Sequence, residues 1–540
     1  MPLRHLPATV AAIAAIGVGV VAIRYGTWAV GGSDSACYGL MAKTLASGKL
    51  QPSSPLALHA PWSNAAATFA PAGFIASPNH KDAASPMCAP GFSLLLVPFV
   101  LLDGPDGVFW GTPLAGMLLV WFAFVLARRL AGGGAGDWAG ALAAVVVATS
   151  PIVLYQAVQP MNDVMTAMLW LAVVVAAGPQ ATGSRLQARL LRRRPKSEAR
   201  SLKPFASGAL TGLALLVRPN LFPAAVLAGI VVPLFHGEQT GRLRAWLAAA
   251  LKFTVAALPG IAVLAWFNVE LYGGPLRSGY GDLRQLFAVS FIPANAVRYV
   301  RWLVETHTVF PLLALAAPFV CPRALRGVIG LTMGVAGAAA SVYLVYRPFD
   351  EWWYLRFLLP AVVLALVLSA AAVAAFADRI HRYGAAIMCC VLAASLGVSN
   401  LRAADRGLAF SLHLLEQRFR DTGVLVRDRL PSNAVFLTVW QSGTVRFYSG
   451  KETILWDALA PVDLDGVIAW LVQSGYRPYI LVERIEETPF RQRFEGIARA
   501  GPLDWPPIFD VDRQARIFDP ADRGRYLAGE GVRTEYVGRR

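Results

Sequence analysis

Long apolar runs alternate with short polar links along this chain until about residue 400, where the pattern changes. A helix that crosses a bilayer needs roughly 17 to 25 predominantly apolar residues. Runs that approach or reach this length lie at about 8–24, 108–127, 138–158, 163–178, 205–217, 221–235, 246–267, 302–320, 327–346, 355–377 and 384–400, with those near 205 and 221 the shortest. A further run, 91–102 (GFSLLLVPFVLL), has only about twelve residues and contains Pro98, so it is expected to be re-entrant or interfacial. Beyond residue 401, short β-rich runs (AVFLTVW, TILW, PYILVE, ARIF) alternate with amphipathic stretches at 463–475 and 486–499. That alternation predicts a small α/β domain. The expected fold is an α-helical polytopic membrane protein with about eleven transmembrane helices over 1–400 and a water-exposed α/β domain over 401–540.

The links between the runs set the expected orientation. Those at 128–137, 179–204, 236–245, 321–326 and 378–383 carry Arg128 and Arg129, the RLQARLLRRRPK run, Arg242 and Arg244, Arg323 and Arg326, and Arg379 and Arg382. With 91–102 not crossing, all five face the cytoplasm, as basic loops do, and the N-terminus is cytoplasmic. The links 25–107, 159–162, 268–301 and 347–354 then open on the outer side together with the tail. The first run follows Arg4 and His5 as in a signal peptide, but Arg24-Tyr25-Gly26 offers no small-residue cleavage site, so it is expected to stay as a span.

Composition agrees with a membrane class. Only 15% of the residues are charged and mean hydropathy is +0.51, against about 25% charge in soluble domains. The net charge of +16 does not point to nucleic acid, because the basic residues sit in clusters between apolar runs rather than on one docking face. The abundance of Ala, Gly and Arg suggests a bacterial source, and hence the inner (plasma) membrane. None of the five cysteines has metal-ligand or redox-motif spacing. Cys37 and Cys88 share the first outer loop, where an oxidising compartment would allow a disulfide.

Candidate chemistry gathers on the outer side. Asp34 lies in GGSDSACYGLMAKTLASGKL just beyond the first span, and Asp163 lies in QPMNDVMTAMLW at a later outer helix start. Each could simply cap a helix. Together they also provide a base for a sugar hydroxyl and a second carboxylate to orient the acceptor or hold a divalent cation. Lys81 (SPNHKDAASPMCAPGF), Arg218 (GLALLVRPN) and Arg356 (EWWYLRFLLP) add cations at outer boundaries. They suit a lipid phosphate, although boundary cations also snorkel toward headgroups. Tyr272 and Tyr280, in the Gly- and Tyr-rich loop 268–287, and Tyr354 are candidates for an acceptor wall or lid, or else interface-belt aromatics. There is no Walker loop, Rossmann fingerprint or His-rich metal signature, and Ser442-Gly443 lacks the glycine frame of a nucleophile elbow. No motif requires a cofactor, and a divalent cation remains open.

The order of these segments resembles the GT-C superfamily of membrane glycosyltransferases. It is most similar to the branch of protein O-mannosyltransferases and lipid A aminoarabinose transferases. The resemblance rests on Asp34 followed by YGLMAKTLASGKL, then APGFSLLLVPF, SPIVLYQAVQPMNDVMTAMLW, GLALLVRPNLFP, NVELYGGPLRSGYG and YLRFLLPA, over about residues 25 to 360. It implies transfer of a sugar, with inversion, from a polyprenyl-phosphate donor to an envelope acceptor. It further implies Asp34 as catalytic base, Asp163 as the later outer-loop carboxylate, and Lys81, Arg218 and Arg356 at the donor phosphate. No paired Asp-Glu follows the first span, which argues against protein mannosylation. A transporter or flippase is the rival reading, but the chain lacks the repeated halves such proteins show. An envelope assembly protein working through its tail is another; it would leave the outer aspartates dispensable.

Overall fold

The computed structural model describes residues 5–178, 202–235, 242–281, 283–381 and 383–538. The basic run at 185–196 and Arg382 lie outside them. The chain divides into two compact units. The first comprises Met1–Gly26, Phe109–Leu264 and Asp282–Ser411, and the second Thr27–Val108, Ala265–Gly281 and Leu412–Arg540.

Among the described residues, seven helices are long and apolar enough to cross a membrane, or up to nine if each of two bent pairs is one span. Asn162–Ala177, Lys203–Val217 and Pro219–Leu234 are shorter apolar helices. Within the first unit, the Trp352–Ile380 stretch is central, with 83% of its apolar window buried, whereas the Gly384–Arg406 helix is peripheral. Close helix packing relies on small residues, as expected where lipid supplies no hydrophobic drive. Gly208 and Gly212 of Lys203–Val217 face the backbone of Phe253, Ala257 and Gly260, and a Cβ at either glycine would collide with it.

The predicted spans are corrected in three places. The run 138–158 is two helices, Ala135–Thr149 and Pro151–Ala157, bent by 58°. Pro151 holds Ser150 in a non-helical conformation (φ −55°, ψ 124°), as proline does to the residue before it. The run 302–320 belongs to a pair, Val289–His307 and Phe310–Val320, bent by 107° at Thr308, whose φ is +58°. The run 91–102 is longer than its sequence suggested. Pro98 is accommodated inside a Pro90–Asp103 helix, and a 3-10 turn carries the apolar stretch on to Phe109. That stretch has the length of a span, although Pro90–Val108 folds with the second unit.

The second unit is built on a six-stranded sheet. Its strands are β3 (Ala434–Leu437), β4 (Glu452–Ile454), β5 (Arg477–Glu483), β6 (Phe509–Val511), β7 (Ala515–Phe518) and β8 (Glu535–Val537), in the order β4-β3-β5-β7-β6-β8. The β3–β4, β3–β5 and β6–β8 pairs are parallel, while β5–β7 and β6–β7 are antiparallel. Side chains alternate across a strand. Val435, Leu437, Ile480 and Val482 therefore enter one core, and Phe436, Tyr479 and Leu481 enter the other. Leu56 and Phe69, some 370 residues upstream of the sheet, pack in the first of these cores. The buried Arg446 guanidinium ties the same segment down by donating to the Ser54 hydroxyl, the Phe69 carbonyl and the Glu452 carboxylate.

A hairpin of β1 (Phe74–Ala76) and β2 (Ala84–Pro86) completes the unit. Cys37 and Cys88 form a disulfide, with Cα atoms 6.2 Å apart. It links the Asp34–Ala46 helix to the start of Pro90–Asp103. Non-reducing gels should show one reduction-dependent mobility shift in the native protein and none in Cys88→Ser. Closing a loop of 51 residues stabilises by about 4 kcal/mol on chain entropy, so Cys88→Ser should also unfold at a clearly lower temperature. An unchanged melting temperature would contradict this.

Candidate functional site

In the first unit, two helix ends meet around a buried ion pair. Asp163 is the second residue of the Asn162–Ala177 helix, where the helix dipole favours a carboxylate. Arg218 sits just past the end of Lys203–Val217. Pro219 prevents it from continuing the helix, and its backbone turns to φ −145°, ψ 85°. The Asn162 amide donates to the Val217 carbonyl at 3.2 Å, satisfying an end group that the helix leaves open. The Arg218 Nη1 and Asp163 Oδ1 atoms are then 2.9 Å apart, with Asp163 only 1% exposed and Arg218 11%. A carboxylate this buried needs a partner to stay charged.

Aromatic rings hold the cations. The Arg218 guanidinium lies 5.5 Å from the Tyr343 ring centroid and 5.8 Å from that of Phe357. Arg356 lies 5.3 Å from the same Phe357 ring and 5.5 Å from Tyr354. Tyr343 and Phe357 stack at 5.1 Å, nearly parallel. The Asn220 amide donates to the Tyr343 hydroxyl at 2.8 Å. Two guanidiniums thus lie beside the Phe357 ring, with Arg218 paired to the Asp163 carboxylate. Two guanidiniums held this close on aromatic rings suit a phosphate. Tyr354 stacks on Phe349 with centroids 4.1 Å apart. Asn220, Tyr343 and Phe357 were not singled out from sequence. An asparagine two residues after the arginine in LVRPN was the one available hint.

Asp34 lies in the second unit, exposed at the first position of the Asp34–Ala46 helix. Ser33 makes no side-chain capping bond there. The segment before it is clamped by the C-terminal part of the chain. Thr444 donates to the Val30 carbonyl at 2.9 Å, and the Val30 amide donates to the Tyr448 hydroxyl at 3.0 Å. Arg420 bridges the Trp28 carbonyl and the Asp106 carboxylate, each at 3.0 Å. A side chain at Gly31 would collide with the Phe419 ring, and one at Gly443 with Ala36. Lys43 reaches from the Asp34 helix to the Phe447 carbonyl, and burial holds its pKa below the usual lysine range.

Lys81 is exposed in the loop between β1 and β2. That hairpin is anchored on 269–272: Asn79 donates to the Glu270 carbonyl at 2.7 Å, Ser85 to Leu271 at 2.6 Å, and Tyr272 to Pro86 at 2.7 Å. Tyr272 is buried and its hydroxyl is engaged, so it fixes the hairpin. Tyr280 is half-exposed. Among the described residues, no group of three or more His, Cys, Asp or Glu side chains is placed to hold a metal ion.

No family model matches the sequence, and no curated protein sequence matches it. Solved structures match its fold. ArnT from Cupriavidus metallidurans bound to undecaprenyl phosphate aligns over 95% of this chain and 98% of its own, with a TM-score of 0.56 and 14% identity. The Archaeoglobus fulgidus oligosaccharyltransferase tethered with an acceptor peptide containing the NVT sequon aligns over 93% of this chain and 72% of its own (TM-score 0.53, 13% identity). AglB from the same organism, in complex with an inhibitory peptide and a dolichol-phosphate, aligns over 93% and 72% (TM-score 0.51, 13% identity). The chain therefore has the GT-C fold that its sequence resembled, with a small C-terminal sheet region.

The ion pair yields a test. Removing one partner of a buried pair costs about 3–5 kcal/mol because the other charge is left uncompensated. Asp163→Asn and Arg218→Gln should each lower the unfolding temperature in detergent. The double variant should lose much less than the sum. Additive losses would mean that the two side chains do not depend on each other.

Proposed function

We propose that this protein is an inverting glycosyltransferase that moves a sugar from a polyprenyl-phosphate carrier to an envelope acceptor, a lipid, glycan or protein, at the outer face of a bacterial plasma membrane. The observation that carries the reading is the pair of guanidiniums beside the Phe357 ring, one of them fixed by Asp163, in a chain of GT-C fold. The undecaprenyl phosphate and dolichol-phosphate bound by the structural neighbours support a carrier of this class. The Cys37–Cys88 disulfide supports an oxidising, extracytoplasmic setting for the second unit. With Pro90–Phe109 not crossing, the basic links place the N-terminus in the cytoplasm.

In this reading Asp34 takes the proton from an acceptor hydroxyl as its oxygen attacks the anomeric carbon. The bond from that carbon to the phosphate oxygen breaks on the opposite side, and its electron pair leaves with the phosphate. Arg218 and Arg356 stabilise the charge that develops there, with Lys81 as a further cation. Asp163 orients Arg218. Tyr280 and Tyr354 serve the acceptor wall or lid, and Tyr272 supports the hairpin. No step requires a metal.

The test is sugar transfer by purified protein in lipid nanodiscs, using radiolabelled polyprenyl-phosphate sugars with envelope extract as acceptor. The native protein should form product. Asp34→Asn should lose a factor on the order of 10²–10⁴, the usual contribution of a general base. Full activity in Asp34→Asn would move the base elsewhere. No turnover of any donor by folded native protein would favour the transporter or assembly readings.

A further inference from the structure

The Val289–His307 stretch has three faces, and each requires a different neighbour. Residues in a helix advance by about 100° each. Asn295, Tyr299 and Trp302 therefore share one side, and they are buried at 1%, 6% and 2% exposure. Val297, Val300 and Val304 cluster on the opposite side and are 69%, 57% and 36% exposed. Arg298, Arg301 and Glu305 lie between these two sides, with Arg301 and Glu305 exposed to more than half of their side-chain area. A surface helix of a soluble protein has no reason to present three valines outward beside its charges. A buried span has no place for the charged stripe.

Both ends are fixed, so the valine side cannot turn inward. Near the start, the Asn295 amide donates to the carbonyls of Tyr343, Leu344 and Tyr346 at 3.2, 3.0 and 2.6 Å. The strand-like approach before it adds Ala288 N to the Val345 carbonyl and Arg347 N to the Leu286 carbonyl, each at 2.8 Å. At the other end, buried His307 pairs through Nε2 with the Ser150 hydroxyl and through Nδ1 with Thr306, both at 2.7 Å. The bend of 107° then follows, and the Phe310–Val320 leg leaves in another direction. Apolar exposure continues onto that leg at Leu312, Leu315 and Phe319.

We infer that Val289–His307 lies flat in the membrane surface as an interfacial helix, with Val297, Val300 and Val304 seated at the headgroup–acyl boundary of the bilayer and Arg301 and Glu305 in water. The occupant of the valine face is membrane lipid, because the next leg also turns large apolar side chains outward at Leu312, Leu315 and Phe319. Helices of this kind bury an apolar side about 5–10 Å into the interface. Through Asn295 the helix grips the residues beside Tyr343, so it also sets the guanidinium cluster near headgroup depth. This inference rests on the membrane reading of the chain and not on sugar transfer.

Spin labels at single cysteines test it, in full-length protein with Cys321, Cys389 and Cys390 replaced by alanine and the disulfide kept. The chain is placed in phosphatidylglycerol/phosphatidylethanolamine nanodiscs and collision rates are measured with oxygen and with the water-soluble relaxant NiEDDA. Labels at Val297→Cys, Val300→Cys and Val304→Cys should favour oxygen, with NiEDDA collisions several-fold fewer than at Arg301→Cys and Glu305→Cys. The three valine sites should also report nearly one depth. A steady depth gradient of about 10 Å from 297 to 304, from 1.5 Å per residue, would make the helix part of a span and overturn the proposal. NiEDDA access equal to that of the charged sites, or no collisions with either relaxant, would equally overturn it. Five sites keep the pattern readable if one variant fails to fold.

Discussion

The buried pair of Asp163 and Arg218 is the constraint around which the first unit is organised. An arginine held at 11% exposure must find both a counter-charge and a surface to lie on. Asp163 provides the first and the Tyr343–Phe357 stack the second. Each comes from a different part of the chain. Asp163 is available because the helix begins at Asn162, Arg218 because Pro219 ends its helix, and the rings because Tyr343 lies near the end of Arg326–Leu344 and Phe357 in the 3-10 helix Trp352–Leu358. Arg356 then joins beside the same Phe357 ring. The arrangement holds two guanidiniums in fixed positions, which is how a protein prepares to stabilise an anion.

The second unit answers a different problem, that of holding an exposed carboxylate still. Asp34 is on the surface, so its placement depends on the backbone beneath it. Thr444, Tyr448 and Arg420 bond the main chain at 28–30, while Gly31 and Gly443 allow close approach. The disulfide ties the same helix at Cys37. The sheet region therefore supports the Asp34 segment directly. Its own core is in turn completed by Leu56 and Phe69.

Much of this was legible in the sequence, and what was not has identifiable causes. Apolar run length revealed the membrane helices, and the β-rich runs AVFLTVW, TILW, PYILVE and ARIF revealed β3, β4, β5 and β7, because both signals are local. Asp34, Asp163, Arg218 and Arg356 stood out as charges at the ends of apolar runs. Their pairing did not, since no local rule brings 163 to 218 or both near 343. Tyr343 and Phe357 looked like ordinary span residues. The bend after Thr149 had a signal in Ser150-Pro151, but the run was apolar throughout and masked it. The bend at Thr308 has no proline next to it, and His307 beside it meets Ser150, a contact across more than 150 residues. Leu56 and Phe69 entering the sheet core is likewise a long-range event.

The central claim is that the guanidinium cluster recognises a lipid-linked phosphate. Binding of undecaprenyl phosphate to purified protein, followed by native mass spectrometry against undecaprenol as the uncharged control, tests it most directly. The phosphate should bind, undecaprenol should not displace it, and Arg356→Met should weaken binding at least about tenfold, as expected for a lost charge-assisted contact. Equal binding of phosphate and alcohol, or unchanged affinity in folded Arg356→Met, would contradict it.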